Sequence, residues 1–190
     1  MRNREALAET YSPTARRLHW WTVALVALML PLGFGMTYRG TTLNIWDSLT
    51  NTLYSVHKAV GFLVLLLVIS RLAYRWRNGA PADEPTLEPW QKLASHVTHG
   101  SLYVLLIVVP LLGWRGVSQY GARNIWGPIS LPPIAAEAGT AVAGFTFWLH
   151  GIAAFALLTL IGAHVGAALF HFLIRKDGVL QRMLPLKGQS

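Results

Sequence analysis

The sequence predicts an all-α integral membrane protein, a four-helix bundle with both termini in the cytoplasm. Three observations lead to this prediction. The chain of 190 residues is 53% hydrophobic and 13% charged, whereas a soluble domain carries about 25% charged residues. Four apolar segments are near or above the roughly 20 residues that a helix needs to cross the hydrocarbon. Basic residues are concentrated in alternate linkers, which is typical of membrane proteins.

The four apolar segments, in chain order, are Leu18–Thr37, Thr52–Ser70, Leu93–Trp114 and Phe145–Ile174. Their continuous apolar runs exclude a membrane β-barrel, whose strands are short and alternate apolar with polar residues. Pro31 and Pro110 lie inside two of the segments, which membrane helices tolerate better than soluble helices do. We expect the first segment to be a retained helix and not a signal peptide, because it is too long and no A-x-A cleavage pattern follows it.

The basic residues predict how the bundle is oriented. Twelve lie in or next to the two termini and the second linker: Arg2, Arg4, Arg16, Arg17, Arg71, Arg75, Arg77, Lys92, Arg175, Lys176, Arg182 and Lys187. The other side has Arg39, Lys58, Arg115 and Arg123. The positive-inside rule therefore puts the termini and the second linker on the cytoplasmic side of the membrane. The third linker, 115–146, lies outside, where we expect an ordered cap or a short re-entrant turn.

The net charge of +8 does not indicate nucleic acid as a partner. The basic residues flank apolar segments and form no separate basic face, so membrane lipid accounts for them. We expect one transmembrane domain over residues 1–190. The chain has no cysteine, which excludes disulfides, Fe–S clusters, thiolate zinc sites and covalently attached c-type haem.

Seven histidines lie in or at the ends of the apolar segments: His19, His57, His96, His99, His150, His164 and His171. Ionisable side chains inside a membrane are costly and usually mark a functional site. His150 and His164 are fourteen residues apart, which is almost four helical turns, so they share one helix face about 21 Å apart. His19 is expected at the depth of His164 and His57 at the depth of His150. The spacing thus predicts two stacked histidine pairs.

Two imidazoles on facing helices suit haem iron better than zinc. Zinc takes three or four protein ligands, and neither pair has a cysteine or an acid nearby, whereas a porphyrin already supplies four of the ligands of its iron. A porphyrin also needs small residues beside it. The candidates are Gly61, Gly151, Gly162 and Gly166, although small residues serve plain helix packing as well.

The chain resembles the bacterial cytochrome b561 family, and more loosely the b-type cytochrome subunits of membrane hydrogenases. The matching motifs are "RLHW" around His19, "SVHKAVG" around His57 and "LHGIAAFALLTLIGAH" from His150 to His164, with "HVTHG" and "KDGVLQRMLP" farther along. The resemblance implies two non-covalent haem b groups, with His19 and His164 as iron ligands on the inside and His57 and His150 on the outside. It also implies electron transfer to or from a quinone.

Three other histidines need separate assignments. His96 and His99 are one turn apart in the third segment, and either is an alternative ligand for the inner haem; both are more easily explained by bonds to haem propionates, to carbonyls or to each other. His171 lies two turns beyond His164. It is either a solvated interfacial side chain or a group that handles protons at a quinone site, since histidine titrates near neutral pH.

Four arginines at the inner haem level have two alternative interpretations. Arg16, Arg17, Arg71 and Arg75 are ordinary positive-inside charges or, for one or two of them, partners of haem propionates. The sequence does not choose among the four.

The expected activity is that of a superoxide:ubiquinone oxidoreductase, which the resemblance implies and the charges favour. Lys58 follows His57 directly, and with Arg115 and Arg123 it would give a cationic mouth that attracts small anions such as superoxide; ordinary loop charges are the alternative. Lys58 and His171 are therefore the candidate catalytic residues. The alternative function is a membrane anchor subunit that passes electrons between quinone and a periplasmic redox partner such as a hydrogenase. A haem-free transporter is disfavoured by the lack of membrane-embedded acids.

Overall fold

Four helices, each long and apolar enough to cross a membrane, make up most of residues 10–184, the part of the chain that the computed structural model describes. They are α1 Pro13–Thr37, α2 Ser48–Asn78, α3 Pro89–Tyr120 and α4 Gly139–Phe170. Short π-helical turns, Tyr38–Thr42 and His171–Arg175, extend α1 and α4. The first three predicted apolar segments lie within α1, α2 and α3, and the fourth covers most of α4 and ends in its π-helical turn. The prediction of an all-α membrane bundle is confirmed.

Polar capping residues make the helices longer than their apolar segments. The Ser12 hydroxyl accepts a hydrogen bond from the Ala15 N–H (3.2 Å) at the start of α1, and the Asp47 carboxylate accepts one from the Thr50 N–H (2.9 Å) in α2. That bond, together with Arg39, holds the pKa of Asp47 below its usual range. Such caps satisfy the free N–H groups of a helix end, but they are hydrophilic and lie outside any hydropathy window.

The arrangement of the helices leaves a gap beside α4. The close backbone contacts run from α1 to α2, from α2 to α3 and from α3 to α4. Within residues 10–184 the backbone of α4 stays apart from those of α1 and α2 along nearly its whole length. α4 therefore packs closely on α3, and the wider space between α4 and the α1–α2 pair, which we call the cleft, is crossed by side chains such as Phe34 and Phe155, whose ring centres are 6.2 Å apart.

The core that holds the four helices together is small and aliphatic. Its buried members come from every helix: Leu32, Val60, Val64, Val68, Leu102, Leu106 and Leu157. Large apolar side chains also cover much of the outward surface. A helix that is apolar all round is typical of a membrane span, so the outward faces are suited to lipid.

The two ends of the bundle are closed differently. At one end, which we call the outer end, β1 (Asn124–Trp126) pairs antiparallel with β2 (Ile129–Ser130) in a short hairpin between α3 and α4. This hairpin is the ordered cap that was expected there.

At the inner end the segments around the two termini and the second linker are joined to one another. The Arg182 carbonyl accepts from the Tyr11 N–H (3.3 Å) and the Arg182 guanidinium donates to the Ala82 carbonyl (2.5 Å). Arg16 donates to the Leu184 carbonyl (2.8 Å). Three of the basic residues counted for this side, Arg2, Arg4 and Lys187, lie outside the described residues.

Candidate haem sites between the helices

The structure brings together the two histidine pairs that the spacing predicts. The ring centres of His57 on α2 and His150 on α4 are 6.2 Å apart, with planes at 79°. Those of His19 on α1 and His164 on α4 are 6.4 Å apart, with planes at 72°. A histidine nitrogen binds a transition metal at about 2 Å and the ring centre lies about 1 Å farther, so two rings that share one ion have centres about 6 Å apart. Both separations suit a shared iron.

Both pairs bridge the cleft between α4 and the α1–α2 pair. Each has one ring from α4 and the other from the opposite side of the gap. The buried Nδ1 atoms of His19 and His57 have no hydrogen-bond partner among residues 10–184. An unpaired buried polar atom is unfavourable in an apolar interior, and since no described protein group holds either ring at this nitrogen, both rings are free to orient toward a ligand in the cleft. The residues present therefore fit b-type haem.

Glycines let the two rings of the outer pair approach neighbouring helices. A Cβ at Gly113 of α3 would lie 3.2 Å from both Cε1 and Nδ1 of His150, and one at Gly33 of α1 would lie 3.5 Å from Cε1 of His57. Next to Gly113, the His150 ring donates from Nδ1 to the Val109 carbonyl (2.9 Å). This bond fixes the tautomer and leaves Nε2 available as a metal ligand.

The four glycines predicted to flank haem do not lie against the histidine rings. Around Gly151, Gly162 and Gly166 an added Cβ would meet nothing within 4 Å, and at Gly61 it would meet the Met29 side chain. The open space beside the first three leaves room for a porphyrin, so their place beside haem stays a prediction. Gly33 and Gly113, which do contact the histidine rings, were missed because their role depends on how α1 and α3 are rotated toward their neighbours.

The inner pair has a third histidine beside it. The ring centre of His99 on α3 lies 5.1 Å from that of His164, while its Nδ1 donates to the Ser95 carbonyl (2.7 Å). His96 turns away: its Nε2 lies 3.1 Å from the Asp83 carboxylate and its side chain is 61% exposed. Of the two histidines in "HVTHG", only His99 reaches the inner site.

His171 lies against the carboxylate of Asp177, a residue that the sequence analysis did not single out. Its Nδ1 lies 2.6 Å from Oδ2 of Asp177, and the two side chains are only 12% and 6% exposed. Nε of Arg175 lies 3.4 Å from the same oxygen. Asp177 stands in the "KDG" of the tail motif, but no helical period connects it to His171, since the chain leaves the helix between them.

Lys58 lies at the outer end and is attached to the cap. Its amino group donates to the Ala122 carbonyl (3.0 Å) and to the Asn124 carbonyl, where β1 begins. Arg123 donates to the Leu131 carbonyl (3.1 Å) across the same hairpin, and Arg115 is exposed. Lys58 and Arg123 are thus bonded to the backbone of the cap, whereas Arg115 lies in the last turns of α3 and not in the cap where it was expected.

Known proteins resemble this chain over nearly its whole length. The family model described as prokaryotic cytochrome b561 matches residues 10–186. Cytochrome b561 homolog 2 of Escherichia coli is 30% identical over 93% of this chain and 92% of its own, and cytochrome b561 homolog 1 of the same organism is 30% identical over 92% and 97%. A probable superoxide oxidase CybB of Yersinia pestis is 30% identical over 70% of this chain and 74% of its own.

The four-helix bundle and its two histidine pairs are consistent with this family match. The chain belongs to the prokaryotic cytochrome b561 family, which implies membrane electron transfer with b-type haem.

Proposed function

We propose that the protein passes single electrons across the bacterial inner membrane between two b-type haems. His57 and His150 would hold the outer haem, and His19 and His164 the inner one. The observation that carries this proposal is the matched separation of the two ring pairs, 6.2 Å and 6.4 Å, at two levels of one cleft. The levels are fourteen residues apart on α4, about 21 Å along the helix. Bound haem supplies reversible one-electron chemistry, and the protein supplies its position and surroundings.

The side chains around each pair set those surroundings. The Val109 carbonyl orients the His150 ring, and a bond of this kind raises the basicity of the ligating nitrogen. The apolar core members on α2 and α3 exclude water from the space between the two levels. Low dielectric and fixed ring orientation together would keep both sites poised for electron transfer with little rearrangement.

At the outer end we propose that superoxide is the electron donor. Lys58, Arg115 and Arg123 place positive charge at this end, and such charge raises the encounter rate of a small anion. The likeness to a protein named probable superoxide oxidase supports this donor. In the overall reaction two superoxide anions each lose one electron and become O₂. The two electrons and two protons convert one ubiquinone to ubiquinol.

At the inner end we propose that ubiquinone is the acceptor and that His171 supplies a proton to it. The ring is held by the Asp177 carboxylate at 2.6 Å, and Arg175 is beside them. A histidine oriented by a carboxylate is a common general acid. The cytoplasmic side, from which protons would come, is assigned by the basic residues of the inner end.

A stopped-flow assay tests the donor and acceptor together. Purified protein is mixed with superoxide in the presence of a short-chain ubiquinone, with superoxide dismutase as the control addition. We expect haem reduction faster than in a soluble control cytochrome, ubiquinol formation, and loss of both with dismutase. Haem reduction by superoxide no faster than in the control cytochrome, with rapid reduction by quinol, would contradict the proposal.

A second candidate function is an anchor subunit for a periplasmic redox protein. The observation that favours it is the apolar surface of the cap, where Trp126 and Ile129 are each 61% exposed. Exposed aromatic residues are enriched at protein interfaces. Purification from native membranes with mild detergent distinguishes the two functions, because an anchor subunit would carry a stoichiometric redox partner and a stand-alone oxidase would not.

A further inference from the structure

Arg71 of α2 lies at the level of the inner histidine pair. It follows His57 by fourteen residues, the same interval that separates His150 from His164, so it shares the helix face of His57 and lies about 21 Å deeper. The guanidinium is close enough to His19, His99 and His164 to interact electrostatically with all three rings. Thus α2 presents a histidine to the cleft at the outer level and an arginine at the inner level.

The guanidinium is held by an aromatic ring and not by an acid. Its central carbon lies 5.2 Å from the centre of the Tyr103 ring, a cation–π geometry. The charged and titratable groups around it are the three histidines, Tyr11, Tyr103 and Arg75. Within residues 10–184 it has no salt bridge, whereas Arg39 and Arg175 both pair with aspartates.

The other arginines at this level differ from Arg71. Arg16 donates to the Leu184 carbonyl at the inner surface, and Arg17 and Arg75 are exposed. Of the four arginines that the sequence left open, only Arg71 combines a place in the cleft with the lack of an acidic partner among the described residues.

A guanidinium inside a membrane without a counter-ion is unfavourable, and such groups pair with an anion or mark a ligand site. Arginine matches the planar carboxylate with two parallel hydrogen bonds. The ligand expected at this level carries two carboxylates, the haem propionates. We infer that Arg71 binds a propionate of the haem held by His19 and His164, an inference that rests on the proposed inner haem.

This contact has a redox consequence. Reduction adds an electron to the haem, and a fixed positive charge nearby favours the more negative state. Arg71 therefore raises the midpoint potential of the inner haem and favours electron flow from the outer haem to the inner one. The contact with the Tyr103 ring helps to hold the guanidinium in place, which makes the cation a positioned group and not a mobile surface charge.

Three variants of the full-length, haem-loaded protein test the inference: Arg71→Gln, Arg71→Lys and the matched control Arg77→Gln, which removes an exposed arginine from the same helix. The readouts are haem content, the propionate bending band in the resonance Raman spectrum, and the midpoint potentials of both haems. The Raman band is needed because a merely structural role would not move it.

We expect Arg71→Gln to shift the propionate band and lower the midpoint potential of the inner haem while the outer haem is unchanged. Arg71→Lys should restore much of the potential but not the band, because an ammonium is a point charge without the planar fork. Arg77→Gln should change neither. Selective loss of the inner haem from Arg71→Gln, with the outer haem spectrum intact, also supports the assignment.

Two results separate this inference from the proposed function. Wild-type protein with two haems, together with Arg71→Gln that keeps the wild-type band and both potentials, would overturn the role of Arg71 alone. Wild-type protein with a single haem, ligated by His57 and His150, would overturn the inner haem and with it this assignment.

Discussion

The imidazole of His150 on α4 donates a hydrogen bond from Nδ1 to the Val109 carbonyl on α3, at 2.9 Å. The bond is possible because Gly113, one turn beyond Val109, has no side chain to block the ring. The His150 ring, a proposed haem ligand, is thus oriented by α3, the helix that α4 packs against most closely. Its Nε2 remains available to a metal.

The first prediction concerns Gly113. Gly113→Ala would place a methyl group 3.2 Å from two atoms of the His150 ring, which is tighter than ordinary contact, so the ring must shift by a few tenths of an ångström and its bond to Val109 is weakened. We expect affinity for the outer haem to fall by up to about 10-fold, the lower end of the effect of losing such an orienting bond. Haem titration of the apoprotein measures it.

The control for Gly113 is Gly144→Ala on α4, where an added methyl group meets nothing within 4 Å. It should leave both haems unchanged. Equal haem binding by the Gly113 and Gly144 variants would show that the Val109 bond does not orient an outer-haem ligand.

The second prediction concerns ligand pairing. His57→Ala or His150→Ala should remove the outer haem and spare the inner one, and His19→Ala or His164→Ala should do the reverse, because the members of each pair face each other across the cleft. Pyridine haemochrome assay and low-temperature spectra count the haems that are left in each variant.

His99 provides the critical comparison for the inner pair, since its ring centre is 5.1 Å from that of His164. His99→Ala should retain both haems, because its ring centre is closer to that of His164 than the roughly 6 Å that two rings sharing one iron require. Loss of a haem from His99→Ala but not from His19→Ala would make His99 the ligand.

The third prediction concerns the outer cations. Lys58→Glu should lower the rate of haem reduction by superoxide by a factor on the order of ten or more at low salt, and added salt should reduce the difference, because the attraction is electrostatic. Both haems should be retained. Stopped-flow absorbance over a salt series measures the rates.

Because Lys58 also donates hydrogen bonds to the cap, the effect of losing its charge must be distinguished from the effect of losing those bonds. Arg115→Glu changes the charge of an exposed residue at the same end without touching the cap contacts, and Lys92→Glu makes the same change at the inner end. Slowing by the Lys58 and Arg115 variants but not by the Lys92 variant supports attraction. Slowing by Lys58→Glu alone would assign Lys58 a structural role at the cap.

The fourth prediction concerns the inner proton donor. His171→Leu should slow ubiquinone reduction by about 100-fold, which is typical for loss of a general acid, and leave haem reduction by superoxide intact. Asp177→Asn should slow the same step less, since it leaves the ring in place but removes the carboxylate that orients it at 2.6 Å. Separate assays of haem reduction and haem reoxidation by quinone distinguish the steps.

His96 supplies a matched control, because it also pairs with an aspartate, Asp83, but is exposed. In the His96→Leu variant, quinone should reoxidise the haems at the wild-type rate. If His171→Leu and His96→Leu behave alike, His171 is an interfacial side chain with no part in proton transfer.

The membrane bundle and the shared helix face of His150 and His164 could be predicted because they depend on apolar length and residue spacing within one segment. Apolar length defines a span, and a fourteen-residue interval defines a shared helix face. The first three apolar segments lie inside α1 to α3, and the fourth runs through α4 into its π-helical turn; α1 begins before its segment at the polar cap Ser12.

The parts that were not predicted depend on how one helix is rotated against another. Contacts between two helices explain the roles of Gly33 and Gly113 and the position of Arg71 beside Tyr103. The spacing of residues within a single segment does not predict such contacts. Asp177 approaches His171 only because the chain leaves the helix after Arg175. These contacts follow from tertiary packing.

The stoichiometry of haem in the purified protein tests the central claim most directly. Pyridine haemochrome assay set against quantitative amino-acid analysis gives the number of haems per chain, and acid–acetone extraction shows whether they are covalently bound. The account predicts two extractable b-type haems per polypeptide. One haem per chain, or a folded bundle that contains none, would contradict it.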